Sequence, residues 1–166
     1  MQTIKTHEVH KLTGLSVHQL REWTVRRKLI QPDVPALKRG QEAEFTWQTI
    51  LLLRLALVLR DHFHVQLQVH RQLLITARKL LAGTSFPILW GSTLAIYDLH
   101  ECELLSHRDS TNPNRDAILL RLDPHLEVLS QGLGLASLPQ MSLFPAVALH
   151  SNDSESRRHS VKGVRR

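Results

Sequence analysis

Apolar positions recur with helical spacing over most of the first eighty residues. Val9 and Leu12 form the inward side of a short first helix, and Gly14 can take the left-handed conformation that a sharp turn needs. Leu15 then fills the corner before a second helix begins. Two short amphipathic helices that meet at one glycine are typical of a helix-turn-helix.

The second helix has a specific start signal and a polar outer side. The Ser16 hydroxyl can accept a backbone N–H of the first turn, and Gln19 can reach back to complete a capping box. We expect this helix to span 16–29 and to be closed by Pro32. Its expected inner side is formed by Val17, Leu20 and Trp23, and its outer side by His18, Gln19, Arg21 and Glu22.

The segment 31–45 is rich in turn-forming residues and has the size of a short hairpin wing. The basic pair Lys38 and Arg39 lies at its centre. Thr46 then looks like the cap of a third helix over 47–63, which is apolar on most of its faces and is therefore expected to be largely buried.

A fourth, more amphipathic helix is expected over 65–81, ended by Gly83. Beyond this glycine the pattern changes to short strands and turns. Asp123 and Pro124 predict a helix start, because Asp can cap a helix and Pro is tolerated at its first position, and Gly132 is expected to end that helix. The expected strands span 94–99, 102–106 and 117–122, with a polar loop at 109–114.

Charge divides the chain into three parts. Residues 1–82 carry 13 Lys and Arg against 6 Asp and Glu, whereas 83–149 carry 3 against 7 and the tail from 150 carries 5 against 2. Positive charge therefore lies with the helix-turn-helix, where a phosphate backbone would attract it. The sequence predicts a mainly α N-terminal winged helix-turn-helix domain at 1–82, a small α+β C-terminal unit at 83–149, and a disordered basic tail at 150–166.

Several classes of site and location are disfavoured. Cys102 is the only cysteine, so the chain has neither an internal disulfide nor a thiolate zinc site, and a reducing cytosol fits. The N-terminus lacks a signal-peptide core, and the apolar run 50–59 is too short to span a bilayer. Two histidine pairs, His7 with His10 and His62 with His64, lack a carboxylate or cysteine at ligand spacing, so we expect no metal and no cofactor.

Residues 7–81 resemble the DNA-binding domain of the mercury-resistance-regulator (MerR) family of bacterial transcription regulators. The matching positions are Glu8, Val9, Lys11, Leu12, Thr13, Gly14, Leu15, Ser16, Val17, Leu20, Arg21, Trp23, Leu29, Ile30, Pro32, Gly40, Phe45 and Thr46. Relative to that family, one additional residue stands between Arg21 and Leu29. Glu42 and Glu44 replace arginines that the family has in the wing.

The resemblance implies that the second helix enters the major groove of double-stranded DNA and that the wing touches the flanking backbone. The DNA-binding candidates are Ser16, His18, Gln19, Arg21, Trp23, Arg26, Lys38 and Arg39. The family dimerises through a long helix after the fourth one, which Gly83 and Pro87 interrupt here, so we expect a homodimer held by 83–149.

Two functions follow as hypotheses. The first is sequence-specific DNA binding for transcriptional regulation in the bacterial cytoplasm, at the nucleoid, with the effector unknown. The alternative is a non-enzymatic protein–protein adaptor that uses the same fold. An enzyme is not expected, since no nucleophile elbow, phosphate loop or metal motif is present. Trp90 and Tyr97 could line a ligand pocket or pack in the core of the second unit.

Overall fold

A computed structural model describes residues 3–38, 40–106 and 115–134. The helices of this part are α1 (Thr6–Thr13), α2 (Val17–Arg21, continued by a π-helical turn, Glu22–Arg26), α3 (Trp47–Asp61), α4 (Arg71–Ala82) and α5 (Asp123–Leu133). A 3-10 turn lies at Phe86–Leu89. The strands are β1 (Ile4–Lys5), β2 (Glu44–Phe45), β3 (Thr93–Tyr97), β4 (Glu101–Leu105) and β5 (Ile118–Arg121).

The corner between α1 and α2 forms as the sequence predicts. Gly14 is left-handed with a φ of +78° and donates its N–H to a carbonyl one turn back, at 3.1 Å. Leu15 fills the corner with 2% of its surface exposed. The buried Thr13 hydroxyl accepts the Leu15 N–H at 3.2 Å. The turn is therefore held from the core side by a hydrogen bond as well as by packing.

α2 begins where predicted but ends earlier. The capping box is present: the Gln19 N–H donates to the Ser16 Oγ at 3.1 Å, and the Ser16 N–H donates to the Gln19 Oε1 at 3.0 Å. The prediction of a helix through residue 29 is wrong. The chain leaves the π turn at Arg27, and Lys28 takes a φ of +50°, which no helix accommodates. Pro32 therefore does not end the helix.

The buried side of α2 and the π turn differs from the predicted one. Leu20 and Trp23 are buried as expected, and Thr24 is buried beside them, where its hydroxyl donates to the Leu20 carbonyl at 2.8 Å. The prediction that Val17 lies inward is wrong, because its side chain is 60% exposed. Leu20, Trp23 and Thr24 have the i, i+3, i+4 spacing of one helix face, which Val17 at the first position of α2 does not join.

The wing segment is a loop closed by a single β-bridge. Val34 bridges Glu44, and β2, which contains Glu44, pairs on its other side with β1. At the tip the Gln41 N–H donates to the Lys38 carbonyl at 3.1 Å, while Gly40 has a φ of +89°. The N-terminal strand and the wing are thus one small sheet next to the start of α1.

α3 is the central helix of the described structure. Thr46 caps it as predicted, its hydroxyl accepting a first-turn N–H at 3.4 Å. Its residues are buried on most sides, because α1, α4 and α5 all pack against it. The predicted burial of the third helix is confirmed, and its physical reason is this three-sided packing.

The fourth helix begins at Arg71 rather than at residue 65. Turns replace the first part of the predicted helix, yet Val65 and Leu67 are still buried. The apolar pattern in this segment therefore indicates which residues are buried, but it does not indicate a helix. The helix ends at Ala82 with Gly83 as its C-cap, as the sequence predicts.

The second sheet is antiparallel, in the order β4-β3-β5. Each strand agrees with its predicted segment to within one or two residues at its ends. The turn between β3 and β4 places both Asp98 and Leu99 at positive φ, 49° and 56°, and the His100 N–H donates to the Tyr97 carbonyl at 3.0 Å. The connection spans residues 98–100, because strand pairing resumes between Tyr97 and Glu101.

α5 departs from its prediction at both ends. Asp123 does not cap the helix: it occupies the first helical position, and its carboxylate accepts the Gly91 N–H at 2.7 Å. The helix ends at Gly134, with a φ of +61°, and not at Gly132. Gly132 lies within the last turn, where an added Cβ would be 2.2 Å from the Leu12 Cδ2. Its role is to let α5 approach α1 closely.

One hydrophobic cluster extends from Ile4 to Leu129 and includes residues on both sides of position 83. α5 packs on α1 and α3, and α4 packs on β4. Arg54 of α3 joins these parts, since its guanidinium bonds to the Leu12 carbonyl and its Nε donates to the His125 Nδ1 at 3.3 Å. The two predicted units therefore share a core. The predicted loop at 109–114 and the tail at 150–166 lie outside the described residues.

None of the helices that the structure describes has the length and apolar content to cross a membrane.

Candidate nucleic-acid interface

The outward side of α2 and its π turn presents a row of exposed side chains. These are Val17, His18, Arg21, Val25 and Arg26. In the part of the chain that the structure describes, the side chains of His18 and Arg21 have no hydrogen-bond or ion-pair partner. Both side chains are therefore available to a partner that offers hydrogen-bond acceptors, such as a base edge or a phosphate.

Ser16 and Gln19 have a structural role at the start of this face. Their side-chain oxygens are both occupied in the capping box. The Gln19 side chain retains its amide N–H₂ as a donor, but the bidentate contact with adenine would require its oxygen as well. Ser16 and Gln19 therefore act mainly on the start of α2 and offer few contacts to a partner.

The π turn carries a network centred on Glu22. The Glu22 carbonyl accepts the Arg27 N–H at 2.8 Å, and its carboxylate accepts the Arg27 Nε at 2.8 Å and an Arg26 guanidinium N–H at 3.3 Å. The hydrogen bond from Arg27 holds the pKa of the Glu22 carboxyl below its usual range. Arg26 is thus exposed but paired, whereas Arg21, one turn earlier, is exposed and unpaired among the described residues.

Trp23 lies in the core and not on the outward face. Only 5% of its surface is exposed, and the Arg60 guanidinium lies over its ring with 5.0 Å to the ring centroid. The contact joins the π turn to the end of α3. Trp23 can therefore fix the orientation of the outward face without touching a partner itself.

The described part of the wing carries both positive and negative side chains. Lys38 is exposed, Arg39 lies outside the described residues, and Leu37 at the tip is 81% exposed. Glu42 accepts a hydrogen bond from His7, with 2.8 Å between the Oε2 and the Nδ1, which lowers the pKa of Glu42. The Glu42 carboxylate is therefore ionised near neutral pH, and it lies in the same wing as the exposed Lys38.

The outward valines were not found by sequence reasoning. Helical spacing predicts Val17 in the core, and no pattern singles out Val25, which is 57% exposed. Nothing in the residue types separates them from core valines. Val17 lies three residues before the buried Leu20, so helical periodicity predicts it on the buried side, yet the structure exposes it at the first position of α2.

The candidate metal, thiol and aromatic residues of the sequence lie elsewhere in the described structure. Among the described residues no group of three or more His, Cys, Asp and Glu could hold a metal ion. Burial raises the pKa of the Cys102 thiol to about 11, so it is protonated near neutral pH. Tyr97 is 4% exposed, with the Arg115 guanidinium 3.9 Å above its ring and its hydroxyl donating to Glu103. Trp90 lies edge-on to Phe86 at 6.2 Å.

No model of a known protein family matches this chain, and no curated protein is significantly similar to it in sequence.

Proposed function

We propose that this chain binds double-stranded DNA and reads its sequence with the outward face of α2 in the major groove. The observation that carries the proposal is the capped helix after a left-handed glycine corner, buried on one side and lined on the other by unpaired His18 and Arg21. Side chains near the N-terminus of such a helix are the ones that reach base edges in helix-turn-helix proteins.

The proposal gains support from the resemblance of residues 7–81 to MerR-family regulators. The additional residue between Arg21 and Leu29 has a physical place, since the π turn encloses one residue more than an α turn. The wing lies beside α1 on the small sheet, with Lys38 exposed for backbone contact. On this proposal the protein regulates transcription at the bacterial nucleoid.

The test is selection of bound fragments from random double-stranded DNA with the full-length chain. We expect an enriched motif, palindromic if two copies bind half-sites about one helical turn apart. Sedimentation of the protein alone and with the selected duplex measures the number of copies. Recovery of DNA without an enriched motif, or no recovery, would contradict sequence-specific binding.

A second candidate function is favoured by one observation. Val17 and Val25, with 60% and 57% of their surfaces exposed, give the same face an apolar component that could bind a protein. Salt dependence separates the two functions. DNA affinity falls steeply as salt rises, with a slope of about −0.9 per phosphate neutralised, whereas a mainly apolar protein contact changes little.

A further inference from the structure

A cleft of about 590 Å³ lies behind the π turn. It is formed by the end of the π turn, the end of α3 and the segment 64–69 that leads to α4. The volume lies within the range of sites that hold small organic molecules, about 300 to 1,000 Å³. Neither of the proposed DNA-contacting residues, His18 and Arg21, lines the cleft.

Two kinds of groups line the cleft. The apolar ones include Trp23, Leu29, Val65 and Leu67, all of which belong to the hydrophobic core. The polar ones include Arg27, Arg60 and His64. Apolar side chains beside two guanidinium groups, one of which lies over the Trp23 ring, match a molecule that has an apolar body and a negative charge.

Both arginines keep donors for a ligand. Arg60 uses its Nε for Asp61, at 2.5 Å, and Arg27 uses its Nε for Glu22 and one NH group for Gln68, at 3.3 Å. A guanidinium has five N–H donors, so each retains several. The two side chains are 32% and 50% exposed, respectively, so solvent and solutes can reach them.

The backbone at the rim is in an uncommon conformation. His64 has a φ of +54°, in the left-handed region that few residues other than glycine adopt. Next to it the Val65 N–H donates to the Leu59 carbonyl at 3.0 Å, which ties the rim to the end of α3. The lining is therefore placed by specific backbone contacts and is not a loose surface segment.

We propose that this cleft binds a planar organic anion of the aromatic carboxylate class. The carboxylate binds to the guanidinium groups of Arg27 and Arg60, and the ring packs against the apolar wall beside Trp23. A lone phosphate, whether free or from a DNA backbone, would satisfy the arginines but leave that wall uncovered. The site requires no DNA, so it stands apart from the proposed function.

The experiment is an NMR titration of the full-length chain with 1-naphthoate, observed at the three tryptophan indole N–H resonances. Trp23→Phe identifies the Trp23 resonance. We expect a saturable shift at Trp23, and binding at least about tenfold weaker for two reference probes, neutral 1-naphthalenemethanol and inorganic phosphate. Equal affinity for either probe, or a shift at Trp47 or Trp90 alone, would overturn the proposal.

A matched pair of variants tests the role of the charge. Arg60→Gln should weaken naphthoate binding about ten- to a hundredfold, because a hydrogen bond to a charged group is lost. Arg121→Gln removes the same charge from exposed β5, away from the cleft, and should leave binding unchanged. Equal effects of the two variants would contradict the site. If Arg60→Gln does not fold, the comparison of the three probes on the unsubstituted chain decides.

Discussion

Arg21 and Arg54 carry the same charge in opposite surroundings. Arg21 is exposed, and in the part of the chain that the structure describes its side chain has no hydrogen-bond or ion-pair partner. Arg54 is half-buried, bonded to the Leu12 carbonyl and to His125, and its burial lowers the pKa of the guanidinium. One is therefore free for an external partner, and the other is committed to holding three helices together.

Arg21→Ala should weaken binding to the selected DNA by about 1 to 3 kcal/mol if Arg21 contacts a base. Binding to a scrambled duplex should change less, because that binding depends on phosphates alone. Fluorescence anisotropy with both duplexes, at fixed salt, measures the two losses. Arg121→Ala is the control for net charge. A loss that is equal on both duplexes would assign Arg21 to the backbone.

His125 should make stability depend on pH. Burial, followed by the nearby charge of Arg54, lowers the pKa of His125 from 6.5 to about 4 in the folded chain. Between these values the unfolded state binds a proton that the folded state does not, so stability falls as pH falls from 6.5 to 4. Discounted for partial exposure, we expect a loss of about 1 to 2 kcal/mol.

The measurement is urea unfolding at several pH values, compared with His125→Gln. Glutamine can still accept the hydrogen bond from Arg54 but does not titrate. The difference in free energy of unfolding between the two proteins should therefore change across this window. The other histidines contribute equally to both proteins and cancel. A constant difference from pH 4 to 6.5 would show that His125 is accessible to protons in the folded state.

Among the elements, α2 depends most on local interactions, because it is short and continues into a π turn. Ser16→Ala removes one half of the capping box and should lower the free energy of unfolding by about 0.5 to 2 kcal/mol. Ser85→Ala is the matched control, since Ser85 precedes a 3-10 turn without a side-chain capping bond. Thermal unfolding of both variants provides the comparison. Equal losses would mean that the cap at Ser16 is not stabilising.

The elements also show what the sequence can and cannot predict. The Gly14 corner, the Ser16 capping box and the Thr46 cap were predictable because each depends on residues within a few positions. The π turn was not, since no local residue pattern marks it, and its buried Trp23 contacts Arg60, which is far away in sequence. The predicted role of Gly132 as the helix end is wrong for the same reason, because its close contact is with Leu12, far away in sequence.

The candidate site also combines features that local sequence predicts with features that depend on packing. The exposure of His18 and Arg21 was predictable from helical periodicity. The same periodicity predicts the burial of Trp23, which the structure confirms, whereas the resemblance predicts Trp23 among the DNA-binding residues. The exposure of Val17 was not predictable from periodicity, because Val17 lies three residues before the buried Leu20. The cleft beside Arg27 and Arg60 is formed by segments that only the packing of α3 brings together.

For the whole molecule, the shared core predicts that the described parts unfold together. Gly132→Ala places a methyl group 2.2 Å from the Leu12 Cδ2, so α5 or Leu12 must move, at a cost of about 1 to 3 kcal/mol. Gly83→Ala is the control, because a Cβ there meets nothing closer than 3.8 Å.

Hydrogen exchange measures the effect at separate elements. If the core is cooperative, Gly132→Ala should lower protection in α1 and β3 by the same free energy. The double variant with Leu12→Ala should show that the two effects are coupled, because the clash is gone. Reduced protection confined to α5 would contradict a single cooperative unit.

The shortness of the outward helix has a consequence for how many base pairs one molecule can distinguish. From Val17 to Arg26 the helix and π turn rise about 15 Å at most, which matches about four base pairs at 3.4 Å each. Four fully specified base pairs occur about once in 256 positions, so a genome of some 10⁶ sites holds thousands of matches. On the proposed function, a unique chromosomal site requires a second copy or a partner protein to lengthen the sequence that is read.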